Sequence, residues 1–171
     1  MQINEDAHVN PPLPKTVVLA LGNLLLSDEG MGIRALQLLL EHYHLPQSVE
    51  CVDGGTLGLG LLAYLDEAVQ LLVIDAVQTG REPGMLVRIE GEEMPASLSL
   101  SLSMHEIGFL ELLAISRLRG SAPSRITVLG VEPESLADGI GLSRKVEARL
   151  GELVEAVVGE LRAWGFDVPP R

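Results

Sequence analysis

Four short stretches of the chain are dominated by aliphatic residues and have the length of β-strands. They cover residues 16–22, 49–53, 71–75 and 125–131. Strands that are buried on both faces show this pattern, and they occur in parallel sheets covered by helices. A fifth stretch, residues 85–90, alternates apolar and charged residues after a short, turn-rich link. That pattern predicts a hairpin partner, antiparallel and at one edge of the sheet.

Helical periodicity fills the intervals between the predicted strands. Apolar residues recur at helical spacing over residues 29–43, 57–65 and 105–118, and residues 143–165 carry one long apolar stripe. Strands that alternate with helices predict helices on both faces of a sheet. We therefore expect a three-layer α/β fold: a mostly parallel five-stranded sheet, helices on both faces and one antiparallel edge strand.

Length and composition narrow the class of protein. The 171 residues suit a single domain, residues 1–171, with an ordered core of about residues 15–165 and frayed N- and C-terminal tails. The net charge of −12 repels phosphate, so a nucleic-acid partner is not expected. The single cysteine, Cys51, allows no internal disulfide, and its strand position predicts a small buried hydrophobe.

Membrane insertion and export are also not expected. The apolar stretches are shorter than the ~20 residues that a spanning helix needs. The first fourteen residues contain Glu5 and Asp6 and no apolar segment, unlike a secretory signal. A cytoplasmic protein is therefore expected, and we also expect a monomer.

Acidic side chains follow three of the predicted strands, and a histidine begins a predicted helix. Asp28 and Glu29 follow the first strand, Asp53 ends the second, Asp75 ends the third, and His105 begins the helix after the edge strand. Parallel strands place their carboxyl ends at one edge of a sheet, where ligands bind. Carboxylates brought together repel one another unless a cation or a proton is shared. This edge is therefore a candidate divalent-metal site.

Each of these residues also has a plain structural interpretation. Asp28 could cap the first helix, and Glu29 could favour the positive end of the same helix. Asp53 precedes two glycines, as turn formers do. Asp75 could cap a loop, and His105 could be a surface residue. The coincidence of all five, more than any one of them, favours a site.

Two other kinds of chemistry have weaker support. The spacing Gly30-x-Gly32-x-x-Ala35, with Asp53 further on, is that of a dinucleotide site, but seven residues separate Gly22 from Gly30. The dinucleotide turn follows its strand directly, so this fit is poor. A hydrolase with a covalent intermediate needs a nucleophile, and no G-x-S-x-G motif is present.

Five motifs in register resemble those of the nickel–iron hydrogenase maturation proteases, from about Lys15 to Trp164. They are Gly22-Asn-Leu-Leu-Leu-Ser-Asp-Glu-Gly-Met-Gly32, Asp53-Gly-Gly-Thr56, Asp75-Ala76, His105-Glu-Ile-Gly108 and Gly130-Val-Glu-Pro-Glu-Ser135. The resemblance implies an endopeptidase that removes the C-terminal extension from the precursor of a hydrogenase large subunit after nickel is loaded. It also implies that Glu29, Asp75 and His105 contact the metal.

The resemblance implies nickel delivered by the substrate, with other divalent ions able to occupy the same site. Two carboxylates and an imidazole leave coordination positions open, which suits a first-row divalent ion that arrives on another protein. The general base is not identified, and Asp53 is a candidate for a supporting role near the site. The alternatives are a metal-sensing chaperone that binds the precursor without cutting it and a hydrolase of small acyl or peptidyl substrates.

Overall fold

The computed structural model describes residues 14–55, 57–91, 99–100 and 108–171, the pair 99–100 by its backbone alone. The strands are β1 (Thr16–Ala20), β2 (Val49–Asp53), β3 (Gln70–Gln78), β4 (Leu86–Glu90), β5 (Ser99–Leu100) and β6 (Arg125–Val131). The helices are α1 (Met31–His42), α2 (Leu61–Glu67), α3 (Phe109–Leu118), α4 (Arg144–Glu147) and α5 (Leu150–Ala163).

Five strands form the sheet in the order β2-β1-β3-β6-β4, and the first four are parallel. The edge strand β4 is antiparallel, so the predicted α/β architecture is confirmed. Two-residue β5 adds an antiparallel pair at the end of β3, opposite Val77 and Gln78. The predicted hairpin is wrong, because β4 pairs with β6 and not with β3. β6, which is buried apart from Arg125 and apolar apart from Arg125 and Thr127, takes the place beside β3, and β4, with its charged Arg88 and Glu90, lies at the edge.

The core has two layers of side chains, one on each face of the sheet. Val18, Leu72 and Ile74 point to the face covered by α1 and α5. Val17, Leu71 and Val73 point to the other face, in one cluster with residues of α2 and α3. Successive residues along β1 and β3 thus point to opposite faces of the sheet, and both faces are buried. This double burial explains why these strands are continuous apolar runs.

The last predicted helix is divided into α4 and α5. The N–H of Arg149 donates to the carbonyl oxygen of Val146 at 2.9 Å, a bond three residues back that tightens the chain between the two helices. The apolar stripe still reaches the core, since Val146 and Leu153 are fully buried on either side of the break. Periodicity therefore predicted the buried face correctly and missed the interruption.

The C-terminal tail is docked onto the end of α1, so the expectation that it frays is wrong. Phe166 and Val168 are buried. The N–H of His44 donates to the carbonyl oxygen of Pro169 at 2.9 Å, and the N–H of Arg171 donates to that of His42 at 2.8 Å. Two apolar side chains in a proline-rich segment are enough to hold it. The N-terminal tail, residues 1–13, lies outside the described residues.

A search for membrane-spanning segments covered the part of the chain that the structure describes. No helix there combines the length and the apolar character needed to cross a bilayer.

Candidate active site

Glu29 lies in a 3-10 turn, Ser27–Gly30, between β1 and α1. Gly22 supports this turn with a φ of 130°, in the region that favours glycine. A Cβ at Gly22 would lie only 1.9 Å from the carbonyl oxygen of Glu29, so a larger residue does not fit. The N–H of Asn23 donates to the same oxygen at 3.3 Å. Gly22 and Asn23 therefore fix the backbone of Glu29 relative to the end of β1.

Asp28 is fully buried and binds three backbone N–H groups. Its Oδ2 accepts from Glu134 and Ser135, both at 2.9 Å, and its Oδ1 accepts from Ser143 at 2.6 Å. The expectation that Asp28 caps the first helix is wrong, because α1 begins at Met31 and has no side-chain cap. Asp28 joins the β1–α1 loop to the loop between β6 and α4, so its oxygens serve the fold.

Asp75 is a fully buried carboxylate near the carboxyl end of β3. Its Oδ1 accepts a hydrogen bond from the N–H of Ala76 at 2.7 Å. Gly130 of β6 is its partner in the parallel register. A Cβ at Gly130 would lie 2.3 Å from the carbonyl oxygen of Asp75, which explains a glycine at this place in the last of the five motifs.

Glu29 and Asp75 lie at the same edge of the sheet, where the strand order reverses between β1 and β3. The 3-10 turn that carries Glu29 contacts β3. The N–H of Leu21 donates to the carbonyl oxygen of Ile74 at 2.9 Å. A Cβ at Gly32 would lie 2.3 Å from the carbonyl oxygens of both Leu21 and Ile74, so the first turn of α1 is pressed onto these strand ends. Open α/β sheets bind ligands in the crevice at such a reversal.

The carboxyl group of Glu29 is half-buried, and burial raises its pKa above the ordinary value. No described residue offers its carboxylate a hydrogen bond or an ion pair that would reverse the shift. The negative charge of Glu29 is therefore destabilised by partial loss of water. A nearby cation would remove that penalty, and perturbed carboxylates in clefts are common at functional sites.

Asp53 is exposed at the end of β2, paired in register with Ala20 of β1. Its Oδ1 accepts a hydrogen bond from the N–H of Gly55 at 3.1 Å, which is the geometry of a turn former. The supporting role of Asp53 near the site stays a prediction.

His105 lies outside the described residues. Within the ranges that the structure does describe, no group of three or more His, Cys, Asp or Glu side chains is placed to hold a metal ion. The proposed ligand set Glu29, Asp75 and His105 therefore stays a prediction.

Glu132 is a buried carboxylate to which the sequence analysis assigned no role. Its Oε2 accepts from the N–H and hydroxyl of Thr79, and its Oε1 accepts from the N–H of Gly80. Burial alone would raise the pKa of Glu132, but these bonds and one from the N–H of Arg81 lower it. Glu132 thereby holds the link between β3 and β4. In the sequence, its position directly after a buried strand could have marked Glu132 as a structural carboxylate.

Cys51 is half-buried in β2 and has no disulfide partner. Burial, with a smaller effect of the charge on Glu50, raises the pKa of its thiol to about 12. Only the thiolate is an effective nucleophile, so Cys51 is inert near neutral pH.

Comparisons with known proteins agree with this fold and identify a family. The model of a family described as hydrogenase maturation protease matches residues 33–160. The hydrogenase expression/formation protein HupD of Rhodobacter capsulatus is 40% identical over 156 residues, which are 90% of this chain and 74% of that protein. The hydrogenase 2 maturation protease of Escherichia coli K12 is 37% identical over 158 residues, 92% of this chain and 96% of the relative.

A solved structure, the hydrogenase maturating endopeptidase HybD from E. coli, superposes with a TM-score of 0.84 at 37% identity. The match covers 92% of this chain and 98% of that one. The expected protease activity and the expected α/β fold are both confirmed by these relatives, which leaves the chaperone alternative without support. The chain belongs to the hydrogenase maturation protease family, whose members are endopeptidases.

Proposed function

We propose that this protein removes the C-terminal extension from the precursor of a nickel–iron hydrogenase large subunit. The nickel already loaded into the precursor is the recognition element, and Glu29, Asp75 and His105 contact it. The observation that carries the proposal is the placement of Glu29 and Asp75 at the reversal between β1 and β3. Family membership supports the reaction class.

The donor chemistry suits a metal that arrives with the substrate. Two carboxylates and one imidazole form a mixed oxygen and nitrogen set that fits a first-row divalent ion. Three ligands leave positions for groups of the precursor, whereas a structural zinc site closes all four. Glu29 gains most from such an ion, because burial has already removed part of its hydration. The same positions could accept other divalent ions.

The path of the chain supports His105 as the third contact. Phe109 begins α3 and belongs to the same apolar cluster as Val73 and Val77, which flank Asp75 on that face of β3. His105 precedes Phe109 by four residues, which span at most ~14 Å when extended. This short link to α3 favours His105 as the third contact.

The reaction is hydrolysis of one peptide bond. Water attacks the carbonyl carbon, the C–N bond breaks, and the released amine takes up a proton. The chain contributes positioning: the backbone of Glu29 is fixed by Gly22 and Asn23, and Asp75 is oriented by the N–H of Ala76. Holding the substrate in one place supplies a large part of such a barrier reduction. Asp53, beside this edge, is the candidate for a supporting role.

We also propose that the enzyme works in the cytoplasm as a monomer. A lone, half-buried cysteine without a disulfide suits a reducing compartment. Light scattering of the purified protein, alone and with precursor, measures the oligomeric state. Cell fractionation measures the compartment.

The decisive experiment mixes the purified protein with precursor that does or does not contain nickel, and weighs the products by mass spectrometry. We expect a shortened large subunit and a released peptide from the nickel-containing precursor alone. Equal cleavage of both precursors would overturn nickel recognition and leave the protease role in place. No cleavage of either precursor would overturn the proposed function.

A further inference from the structure

Exposed apolar side chains are concentrated around the candidate active site. Ten large hydrophobic residues are exposed in the described part of the chain, and seven of them lie in the segments that follow the parallel strands, at the edge where these strands end. Five of these form what we call the apolar rim: Leu24, Leu25, Leu57, Leu59 and Ile140. Exposed apolar groups that cluster in this way mark interaction surfaces, whereas scattered ones do not.

The loops of the apolar rim contact one another next to Glu29. The N–H of Gly139, which precedes Ile140, donates to the carbonyl oxygen of Leu25 at 2.9 Å. A Cβ at Gly30, directly after Glu29, would lie 3.3 Å from the Cα of Leu24. A Cβ at Gly55 would lie 2.7 Å from the carbonyl oxygen of Gly22, which joins the loop of Leu57 to the same edge.

A basic groove continues from the apolar rim along α4. The chain passes from Ile140 through Ser143, whose N–H binds Asp28, to Arg144 and Lys145. Arg144, Lys145 and Arg149 line one wall of a cavity of about 820 Å³, and the turn Glu82-Pro83-Gly84 forms the other wall. The protein carries 12 basic and 24 acidic residues, whereas basic residues outnumber acidic ones three to one both in residues 144–149, where Glu147 is the acid, and in the lining of the cavity, where Glu82 is.

The basic side chains of the groove are available to a partner. Lys145 pairs with Glu134 and Arg149 with Glu152, but all four side chains are more than a third exposed. Ion pairs of this kind contribute little and exchange readily. Arg144 forms no ion pair with any residue that the structure describes.

We infer that the apolar rim and the basic groove form one docking surface for a single segment of the protein substrate. The segment has apolar side chains where it crosses the rim beside Glu29 and carboxylates where it enters the groove. This inference rests on the proposed endopeptidase function and names the chemistry of what that site binds. Charge complementarity argues for acidic groups at the groove, because its lining is mostly basic in a chain whose net charge is −12.

The first test removes the apolar half of the surface. Leu25→Ser with Ile140→Ser alters side chains that are 64% and 85% exposed, so the fold is retained. We expect KM for the nickel-containing precursor to rise about tenfold or more, with kcat unchanged, because apolar burial is lost. Leu118→Ser is the matched control, since Leu118 is 89% exposed at the far end of α3 and its change leaves KM unaltered.

The second test removes the basic half. Arg144→Gln with Lys145→Gln is expected to raise KM about fivefold at low salt, and the difference shrinks at 0.5 M salt because ions screen exposed charges. Arg117→Gln with Arg119→Gln is the matched control. Like the test variant, this control removes one cation that pairs with an acid, Arg119 with Asp66, and one, Arg117, that forms no ion pair with a described residue. We expect it to leave KM unchanged.

Binding of nickel-free precursor, measured by interferometry, distinguishes failure of this inference from failure of the proposed function. The wild type and both controls are expected to bind that precursor equally, and each test variant binds it more weakly by the factors above. The inference is overturned if either test variant matches its control in both KM and Kd. A wild type that binds precursor but never cuts it overturns the proposed function, and the Kd comparison still decides the docking surface.

Discussion

Two glutamates near opposite ends of the sheet have opposite electrostatic environments. Glu160 of α5 accepts two hydrogen bonds from the guanidinium of Arg88 and one each from Thr127 and Trp164. Burial alone would raise the pKa of Glu160, but Arg88 and the other donors lower it. At the carboxyl ends of the strands, burial raises the pKa of Glu29 and nothing in the described chain offsets it.

The contrast separates carboxylates whose burial is compensated by hydrogen bonds, and which stabilise the fold, from Glu29, whose partial burial is not compensated. Far from the site, Asp66 is bonded by Ser116 and Ser121 and paired with Arg119. At the site, Asp28 is just as well satisfied, so the loops are firm, and the carboxylate next to it in sequence is left half-buried. Proteins accept such local costs where function requires them.

The strongest test of the contrast removes the charge at the candidate site. Glu29→Gln, and separately Asp75→Asn, are expected to reduce precursor cleavage by at least about 100-fold, which corresponds to roughly 2.7 kcal/mol of lost transition-state stabilisation. Timed gels of nickel-containing precursor measure the rate. Glu160→Gln serves as the control and retains cleavage. Normal cleavage by Glu29→Gln, in protein shown to be folded by circular dichroism, would refute its assigned role.

A second test removes the carboxylate beside Glu29. Asp28→Ala leaves three buried backbone N–H groups without their acceptor, so we expect the free energy of unfolding to fall by about 2–4 kcal/mol. Urea denaturation measures this loss. Asp28→Asn retains one carbonyl oxygen and is expected to lie between the wild type and Asp28→Ala. If Asp28→Ala unfolded at the urea midpoint of the wild type, the three hydrogen bonds of Asp28 would not stabilise the fold as described.

Glu160→Gln tests how much the fully hydrogen-bonded glutamate of the pair contributes to stability. Loss of the bidentate pair with Arg88 is expected to cost about 1–2 kcal/mol at pH 7. Because the folded-state pKa is lowered, the carboxylate of Glu160 contributes stability above its unfolded pKa and loses that contribution as pH falls through the folded value. The difference between wild type and variant should therefore shrink in acid. A constant difference down to pH 2 would contradict this account.

The smallest effect expected concerns the stability of Glu29→Gln. A raised folded-state pKa means that Glu29 favours folding only below its unfolded pKa, and this contribution is lost as pH rises through the folded value. At pH 7 the charged group opposes folding slightly, so the variant should melt about 1 °C higher, an effect kept small by solvent screening. The gain should vanish near pH 4. A lower Tm at pH 7 would show that Glu29 has a stabilising partner.

The sequence predicted the layers of this fold because its strands are buried on both faces and are therefore conspicuous. It placed Glu29, Asp53 and Asp75 at the correct edge, since strand ends and one topological rule determine that. It did not predict the role of Asp28, whose partners are backbone N–H groups more than one hundred residues away. Side-chain periodicity carries no information about such contacts.

Local irregularities were missed for a similar reason. The interruption between α4 and α5 depends on one backbone bond, from Arg149 to Val146, and the apolar stripe continues across it. The tail is held by Phe166 and Val168, two apolar residues among prolines, whose packing surface is formed by distant parts of the chain. In both cases tertiary contacts determine what the local sequence leaves open.

The loop between Gly22 and Glu29 is closed at its base by the hydrogen bond from Asn23, and its tip is held through main-chain atoms of Leu25. The side chain of Leu25, which is 64% exposed, is therefore not needed to keep the loop in shape. A library randomised at this one codon, with loop length kept constant, offers a route to redirect the enzyme toward foreign cleavage sequences while the backbone that carries Glu29 is retained.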